Sequence, residues 1–314
     1  MTYSHASFTP RLCSSVLLIP PGGAMTEELI RRGHSHNDYH QEDPLSSALK
    51  HGLNSVEVDV FPRQDKLWVA HTVFELDSTR TIENMYISPI LRMLRHSGML
   101  TSDPRMTIEG DSRPFPKSRR SQRRGLKLPR IGGRRSGKRD TLLDYDDKAL
   151  TLLVDLKGPP ERSVALLHEA IAPLREYLTK VDRNGKLHKG KVTVLVSGNR
   201  PRAESLISND AQGDRFIFID GRSHDIHSAT DTMLVPMVSL PWRKLQFARL
   251  FGRGDRYMRK MAKKAHDQGK RLRIWGAPNS EYLWSQMLEN DIDILSIDDH
   301  SKFVRFASQL DFKS

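Results

Sequence analysis

The chain has 314 residues, of which 37% are hydrophobic and 28% charged, a globular composition that excludes a fibrous or wholly disordered protein. One cysteine, Cys13, rules out an internal disulfide, and no run of 18 apolar residues predicts a membrane-spanning helix. The formal charge of +12 is local: twelve of the 50 Lys and Arg lie within residues 113–139, which hold no Asp or Glu, and the rest of the chain is electrically balanced. A uniformly basic nucleic-acid-binding domain is not patterned this way.

Residues 1–28 are expected to form a disordered leader. Residues 12–19 are apolar and follow Arg11, as in a signal peptide. The stretch is short and broken by Ser14 and Ser15, so secretion is the lesser reading and no compartment is assigned. A first short strand is expected over 28–33. Pro44 and Leu45 then open a short helix carrying Leu45, Ala48 and Leu49, with Gly52 as its C-terminal cap. Residues 55–61 read as a strand and 67–71 as the next extended piece. Residues 82–95 read as a helix that Pro89 bends or breaks.

Residues 101–148 fit no element. Pro, Gly, Ser and Arg dominate their centre, which predicts a disordered insertion. Residues 149–156 form a strongly apolar strand. Pro159 and Pro160 start a helix with Val164, Leu167, Ile171, Leu174 and Leu178 on one face. Strands follow over 191–196, 215–219 and 233–240. A polar helical stretch spans 243–268, then a strand spans 271–275. Ser280 caps a helix with Leu283, Trp284, Met287 and Leu288 on one face, and 293–297 is the last strand.

Short strands rich in Val, Ile and Leu, apolar on both faces, alternate with helices. That pattern predicts a parallel sheet covered by helices. At this length its natural closure is a (β/α)8 TIM barrel in one domain over 29–305, with a tail over 306–314. A doubly wound open sheet is the alternative, and the absence of a glycine-rich phosphate fingerprint after the first strand counts against it.

Barrel enzymes work at the C-terminal ends of their strands. Here those ends carry His34, His36 and Asn37; Glu57 and Asp59; His71; Asp155 and Lys157; Ser197 and Asn199; Asp220 and Arg222; Trp275; and Asp298 with Asp299. Glu57 and Asp59, at i and i+2, share one face of a strand whose Val56, Val58 and Val60 face the other way. Two carboxylates side by side inside a barrel need a positive partner. A hard divalent cation with oxygen ligands is one answer, with Asp155 as a third ligand. A buried salt-bridge network to Arg or Lys is the other. His34, His36 and His71 are candidates for proton transfer, because imidazole titrates near neutrality. Lys157 suits a phosphate oxygen or is a surface lysine; Trp275 walls the pocket or packs in the core.

The same residues resemble a known family. His-Ser-His-Asn-Asp-Tyr over 34–39, Pro44-Leu45, Ala48-Leu49, Gly52, Ser-Val-Glu-Val-Asp-Val over 55–60, Leu-Trp-Val-Ala-His over 67–71, and Arg80-Thr81 with Tyr-Ile-Ser-Pro-Ile over 86–90 are similar to the fungal altered inheritance of mitochondria protein 6 family. That family lies among the phospholipase C-like phosphodiesterases, together with the glycerophosphodiester phosphodiesterases. The resemblance spans residues 30–100 and 149–300 and implies a (β/α)8 barrel. It implies metal-dependent hydrolysis of a glycerophosphodiester or phospholipid-type substrate by two histidines. Under it, His34 and His71 are the catalytic pair, with His36 as the alternate for His34. Glu57, Asp59 and Asp155 hold one divalent cation, Mg2+ before Ca2+. Asn37, Lys157 and Trp275 contact substrate. The histidine at 71 is followed by Thr72 rather than the acidic residue found in many glycerophosphodiesterases.

Two other classes compete. A zinc-dependent amidohydrolase-like barrel would use His34 and His36, with His224 or His227 and Asp298. It leaves Glu57, Asp59, Asp155 and Lys157 without a role. A non-catalytic binding protein would contact anionic surfaces through residues 113–139 in a salt-sensitive way. Phe115 is the one aromatic residue in that segment, so base stacking and specific nucleic-acid binding are not expected.

Overall fold

The computed structural model describes residues 24–97, 143, 149–202, 206, 213–226 and 231–311. The basic insertion expected over 101–148 lies outside the described residues except for 143. So does most of the expected leader.

Eight parallel strands close into a barrel: β1 (Gly33–Ser35), β2 (Ser55–Arg63), β4 (Leu150–Leu156), β7 (Val192–Gly198), β8 (Ile217–Gly221), β9 (Met237–Pro241), β10 (Arg271–Trp275) and β11 (Ile294–Ile297). Closure comes from β1, which pairs in parallel with β2 at Ser35 and Val56 and with β11 along its length. This is the expected (β/α)8 architecture. An antiparallel strand, β3 (Lys66–Val69), folds back on the end of β2, and a small hairpin, β5 (Lys180–Val181) and β6 (Leu187–His188), lies outside the barrel.

The alternation of β2 is as the sequence implies. Val56, Val58 and Val60 are fully buried under the helices, while Glu57 and Asp59 point into the barrel. Outward Leu152, Val154, Val194 and Val196 join the same outer core. A second apolar cluster of Leu153, Leu195, Phe218, Met237 and Ile294 fills the lower interior of the barrel.

Several boundaries differ from expectation. Residues expected as the first strand belong to helix α1 (Ala24–Arg31), whose buried Leu29 and Ile30 pack toward the last helix, and β1 starts only at Gly33. The expected leader is therefore helical from Ala24. Helix α2 (Ser46–Lys50) ends at Gly52, whose φ of 79° suits glycine as expected. The helix over 82–95 begins as a wide π-helical turn (Glu83–Ile87) and tightens into α3 (Ser88–Ser97), so Pro89 falls in the first turn of α3, where it needs no hydrogen bond. Helix α4 (Pro160–Ile171) starts on Pro160, as the sequence suggests. The polar helix over 243–268 is two helices, α5 (Trp242–Leu250) and α6 (Gly254–Asp267), separated at Gly252 with φ 66°. Ser280 precedes α7 (Glu281–Glu289) but makes no side-chain capping bond. Residues 306–311, expected as tail, continue α8 (His300–Asp311), with Phe303, Val304, Phe306, Ala307 and Leu310 buried.

Among the described residues, no helix is long and apolar enough to cross a membrane.

Candidate active site

The register of the parallel strands brings the acidic residues together. Asp59 on β2 is the direct partner of Asp155 on β4, which is the partner of Ser197 on β7. Glu57 lies one inward position below Asp59. Glu57, Asp59 and Asp155 each offer a carboxylate oxygen within 4.8 Å of the others.

Two side-chain cations already lie against this cluster. Lys157 Nζ bridges Asp59 Oδ2 and Asp155 Oδ2, at 3.0 Å from each. From β10, the buried Arg273 guanidinium donates to Glu57 Oε2 and lies 3.8 Å from Asp220 Oδ2. Burial alone would raise the Glu57 carboxyl, but Arg273 and then His34 outweigh it and hold the group below the usual carboxylate range. Asp155 is pushed the other way: burial raises it, Lys157 opposes, and the neighbouring Asp59 and Glu57 charges add to the rise. For Lys157, burial works against the charge, and the two aspartates more than restore it.

The salt-bridge network exists, yet it does not finish the job. Three carboxylates face two cations. Oδ1 of Asp59 and Oδ1 of Asp155 are buried with no hydrogen-bond partner, although Oδ2 of each is satisfied. A buried carboxylate oxygen without a partner is costly. The lone oxygens, the raised Asp155 carboxyl and the hard oxygen donors together fit one divalent cation. Gly198, with φ 69°, contributes room: a Cβ there would collide with Asp155 Oδ1.

The histidines separate into two settings. His34 is 1% exposed and points into the barrel, with Nδ1 2.7 Å from Ser55 Oγ and Nε2 3.2 Å from Glu57 Oε2. Burial, assisted by Arg273, pulls its pKa down to about 4, so the ring is neutral; Nε2–H donates to Glu57 and Nδ1 accepts from Ser55. Both nitrogens are engaged and the ring lies away from solvent. In this structure His34, expected to meet substrate, packs beneath the mouth against Glu57. His36, two residues on and half-buried, reaches the mouth. Its Nδ1 lies 2.9 Å from Asp298 Oδ1 after β11, and this bond holds the Asp298 carboxyl below its ordinary range against the effect of burial. Asp298 is itself fixed, because Asn279 Nδ2 donates to Oδ2 and Asn279 Oδ1 accepts from the Asp298 backbone at 3.0 Å.

His71 follows β3 and faces the cluster from the other side, with Nδ1 3.1 Å from Asp59 Oδ2 and 3.1 Å from the Tyr39 hydroxyl. Its backbone N–H donates to Glu75. The His71 side chain is half exposed, so Nε2 is open to the mouth. Asn37 sits beside His36 in the left-handed region, φ 48°, and turns the chain at the rim. Trp275 ends β10 with 41% of its surface exposed, which places it on the mouth rather than in the core.

Arg273, Asp220 and Asp298 complete the site, and sequence reasoning assigned no role to Arg273. An arginine flanked by Leu272 and Ile274 in a barrel strand was the available signal, since such a charge must point inward to a carboxylate. His34 and His36 do not share a ligand position, and among the described residues the group close enough to share one metal ion consists of Glu57, Asp59 and Asp155. His224 is exposed beside Asp225, and His227 lies outside the described residues.

A family model described as an AIM6-like phosphodiesterase domain matches residues 26–111 and 134–220, more than half of the chain. The chain belongs to the AIM6-like phosphodiesterase domain family. The unmatched residues 112–133 between the two parts fall largely within the basic segment. Curated fungal relatives carry the name altered inheritance of mitochondria protein 6. A homolog from Arthroderma benhamiae is 26% identical over 85% of this chain and 80% of its own length. The protein from Lachancea thermotolerans is 27% identical over 89% and 67%. That from Eremothecium gossypii is 24% identical over 91% and 73%. Among solved structures, a glycerophosphodiester phosphodiesterase from Parabacteroides distasonis is 12% identical, with a TM-score of 0.45 over 88% of this chain and 96% of that one. That likeness is too distant to bear on activity.

Proposed function

We propose that this AIM6-like domain is a metal-dependent phosphoric diester hydrolase acting on a glycerophosphodiester or phospholipid-type substrate. The observation that carries the reading is the pair of buried, unpartnered oxygens, Asp59 Oδ1 and Asp155 Oδ1, between histidines that reach the mouth from both sides.

Glu57, Asp59 and Asp155 hold one divalent cation. Mg2+ is preferred over Ca2+, because Arg273 and His34 occupy Glu57 Oε2 and leave each carboxylate one oxygen to give, which suits a small ion that keeps several waters. When bound, the ion draws charge from a phosphodiester oxygen and neutralises the charge that grows there during displacement. The chain's own groups do the rest. Lys157 keeps its proton and contacts a phosphate oxygen. Asp59 holds His71 through Nδ1, and Asp298 holds His36 through Nδ1, so each ring presents Nε2 to the substrate. One imidazole takes the proton of the attacking water or substrate hydroxyl, and the other returns a proton to the leaving alcohol. His36 here takes the part that the family resemblance gave to His34. Asn37 and Trp275 bound the space beside them.

The test is hydrolysis of a chromogenic phosphodiester by the full chain with Mg2+, Ca2+, Zn2+ or chelator, beside Glu57→Gln. Activity that needs Mg2+ or Ca2+ and is lost in the variant supports the reading. Activity with zinc alone, or undiminished by chelator, overturns it.

A further inference from the structure

The surface of the barrel mouth has a feature that catalysis does not use. Among the described residues, the exposed large hydrophobic side chains include Phe247, Leu250, Phe251 and Tyr282 on segments that follow β9 and β10, and Trp275 at the end of β10. The densest group is on α5. Phe247, Leu250 and Phe251 are 67%, 81% and 64% exposed, at the i, i+3 and i+4 positions of one outer face, and the two rings meet edge to face at 5.2 Å. The opposite face of the same helix is anchored by buried Trp242 and Leu245. A helix apolar on both sides has one side still to cover.

Its position is fixed by polar ties at both ends. Lys244 Nζ donates to Ser223 Oγ in the segment after β8. Arg249 donates to Gln286 on α7 and lies over the Trp242 and Tyr282 rings. The helix therefore lies across the rim, from β8 to α7. It starts one residue after Pro241, the register partner of Trp275, so the helix begins at the mouth. Diametrically across the barrel order, Phe74 is 95% exposed, three residues after His71.

Charge says what covers this face. From 242 to 254 there are four cations, Arg243, Lys244, Arg249 and Arg253, and no acidic residue. Lys244 and Arg249 tie the helix to its neighbours, while exposed Arg243 and Arg253 flank the exposed aromatic and aliphatic side chains, a combination that matches an anionic lipid surface, with rings in the headgroup layer and cations against phosphate. A protein partner would be expected to pair those cations individually, and a second copy of this chain would set cation against cation.

We propose that α5, with the rim around Trp275, docks this protein on an anionic bilayer with the barrel mouth facing the lipid. The docking stands apart from the hydrolytic reading, because it is read without turnover.

The test is co-sedimentation of the full chain with vesicles of phosphatidylcholine alone or containing about 30% phosphatidylserine. Wild type binds the anionic vesicles only. Phe247→Ser/Leu250→Ser/Phe251→Ser weakens binding at least about tenfold, and Arg243→Gln/Arg253→Gln weakens it several-fold. All variants retain residues 113–139, so any lipid contact there is common to them. The changed side chains are exposed, so Tm and hydrolysis of a water-soluble diester are unchanged, which separates this proposal from the fate of the hydrolytic one. Absence of vesicle binding by wild type, or equal binding by the triple variant, overturns the proposal. So does a wild-type dimer that the triple variant turns into a monomer without vesicle binding, which would make the face a contact between copies.

Discussion

Leu153 and Asp155 lie two residues apart on one strand and face the same barrel interior, yet they belong to different regimes. Leu153 packs with Leu195, Phe218, Met237 and Ile294 in an apolar lower layer. Asp155 belongs to a desolvated layer of three carboxylates with two cations. The lower layer gains about 1.5–3 kcal/mol for each large side chain it takes from water. The upper layer keeps Glu57 and Asp59 out of water and leaves Asp155 and Lys157 only partly hydrated, at a cost that ion pairing does not fully recover. Along β4, stability and chemistry are thus separated by one turn of the strand pleat.

The largest expected effect separates the two layers directly. Asp155→Asn removes one charge from the crowded upper layer. Hydrolysis of a phosphodiester should fall at least about 1,000-fold, about 4 kcal/mol in barrier, while Tm stays level or rises because a like-charge neighbour has gone. A clear fall in Tm would show that the carboxylates are structural. The converse variant, Leu153→Ala, should cost about 2–5 kcal/mol in denaturant unfolding and leave kcat of the folded protein within a few-fold.

A third prediction extends the comparison to a buried ionisable group outside the barrel. His300 is held between Ser35 Oγ at 2.8 Å and Ser47 Oγ at 3.1 Å, and burial, then His51, lowers its pKa from 6.5 to about 4. The folded protein leaves this ring neutral where the unfolded chain protonates it. Its contribution is therefore present above pH 6.5 and is lost as pH falls toward 4, amounting to at most about 3 kcal/mol. Urea unfolding of wild type and His300→Gln between pH 7 and 4 checks this: the two curves should converge as pH falls. The smallest effect is expected at the rim. Asp298→Asn keeps a hydrogen-bond acceptor for His36 but removes the carboxylate charge that holds the ring in place, and should lower kcat about ten- to thirty-fold without loss of stability. No change in the pH–rate profile of this variant would remove His36 from proton transfer.

Much of this layout was legible in the chain. Val56 to Val60 alternate with Glu57 and Asp59 so regularly that only a strand with a charged inner face fits, and the structure has it. The closing strand pair was less legible. Leu29 and Ile30 read as strand residues, but their apolar face belongs to a helix, and β1 has only three residues in which to show a period. Phe303, Val304, Phe306, Ala307 and Leu310 have a helical spacing, but it continues past the last expected strand into residues whose polar neighbours resemble a tail. His34 and His36 could not be told apart because a two-residue spacing puts both on one side of a strand. Only the third dimension shows that β1 ends between them, leaving one ring inside the barrel and the other at its lip. Arg273 was hidden for a similar reason: its partner Glu57 is distant in sequence, and no local pattern links them.

That distance has a consequence for the newborn chain. Glu57 and Arg273 are separated by 216 residues. At synthesis rates of about 5–20 residues per second, about 10–40 s pass between the making of the carboxylate and the making of its guanidinium. Throughout that interval the segment Ser55–Arg63 has its valines and its acids but neither the counter-charge nor the last strands of the ring. The ring of strands closes only after β10 and β11 have been made, so Glu57 meets its guanidinium at the step that also completes the barrel.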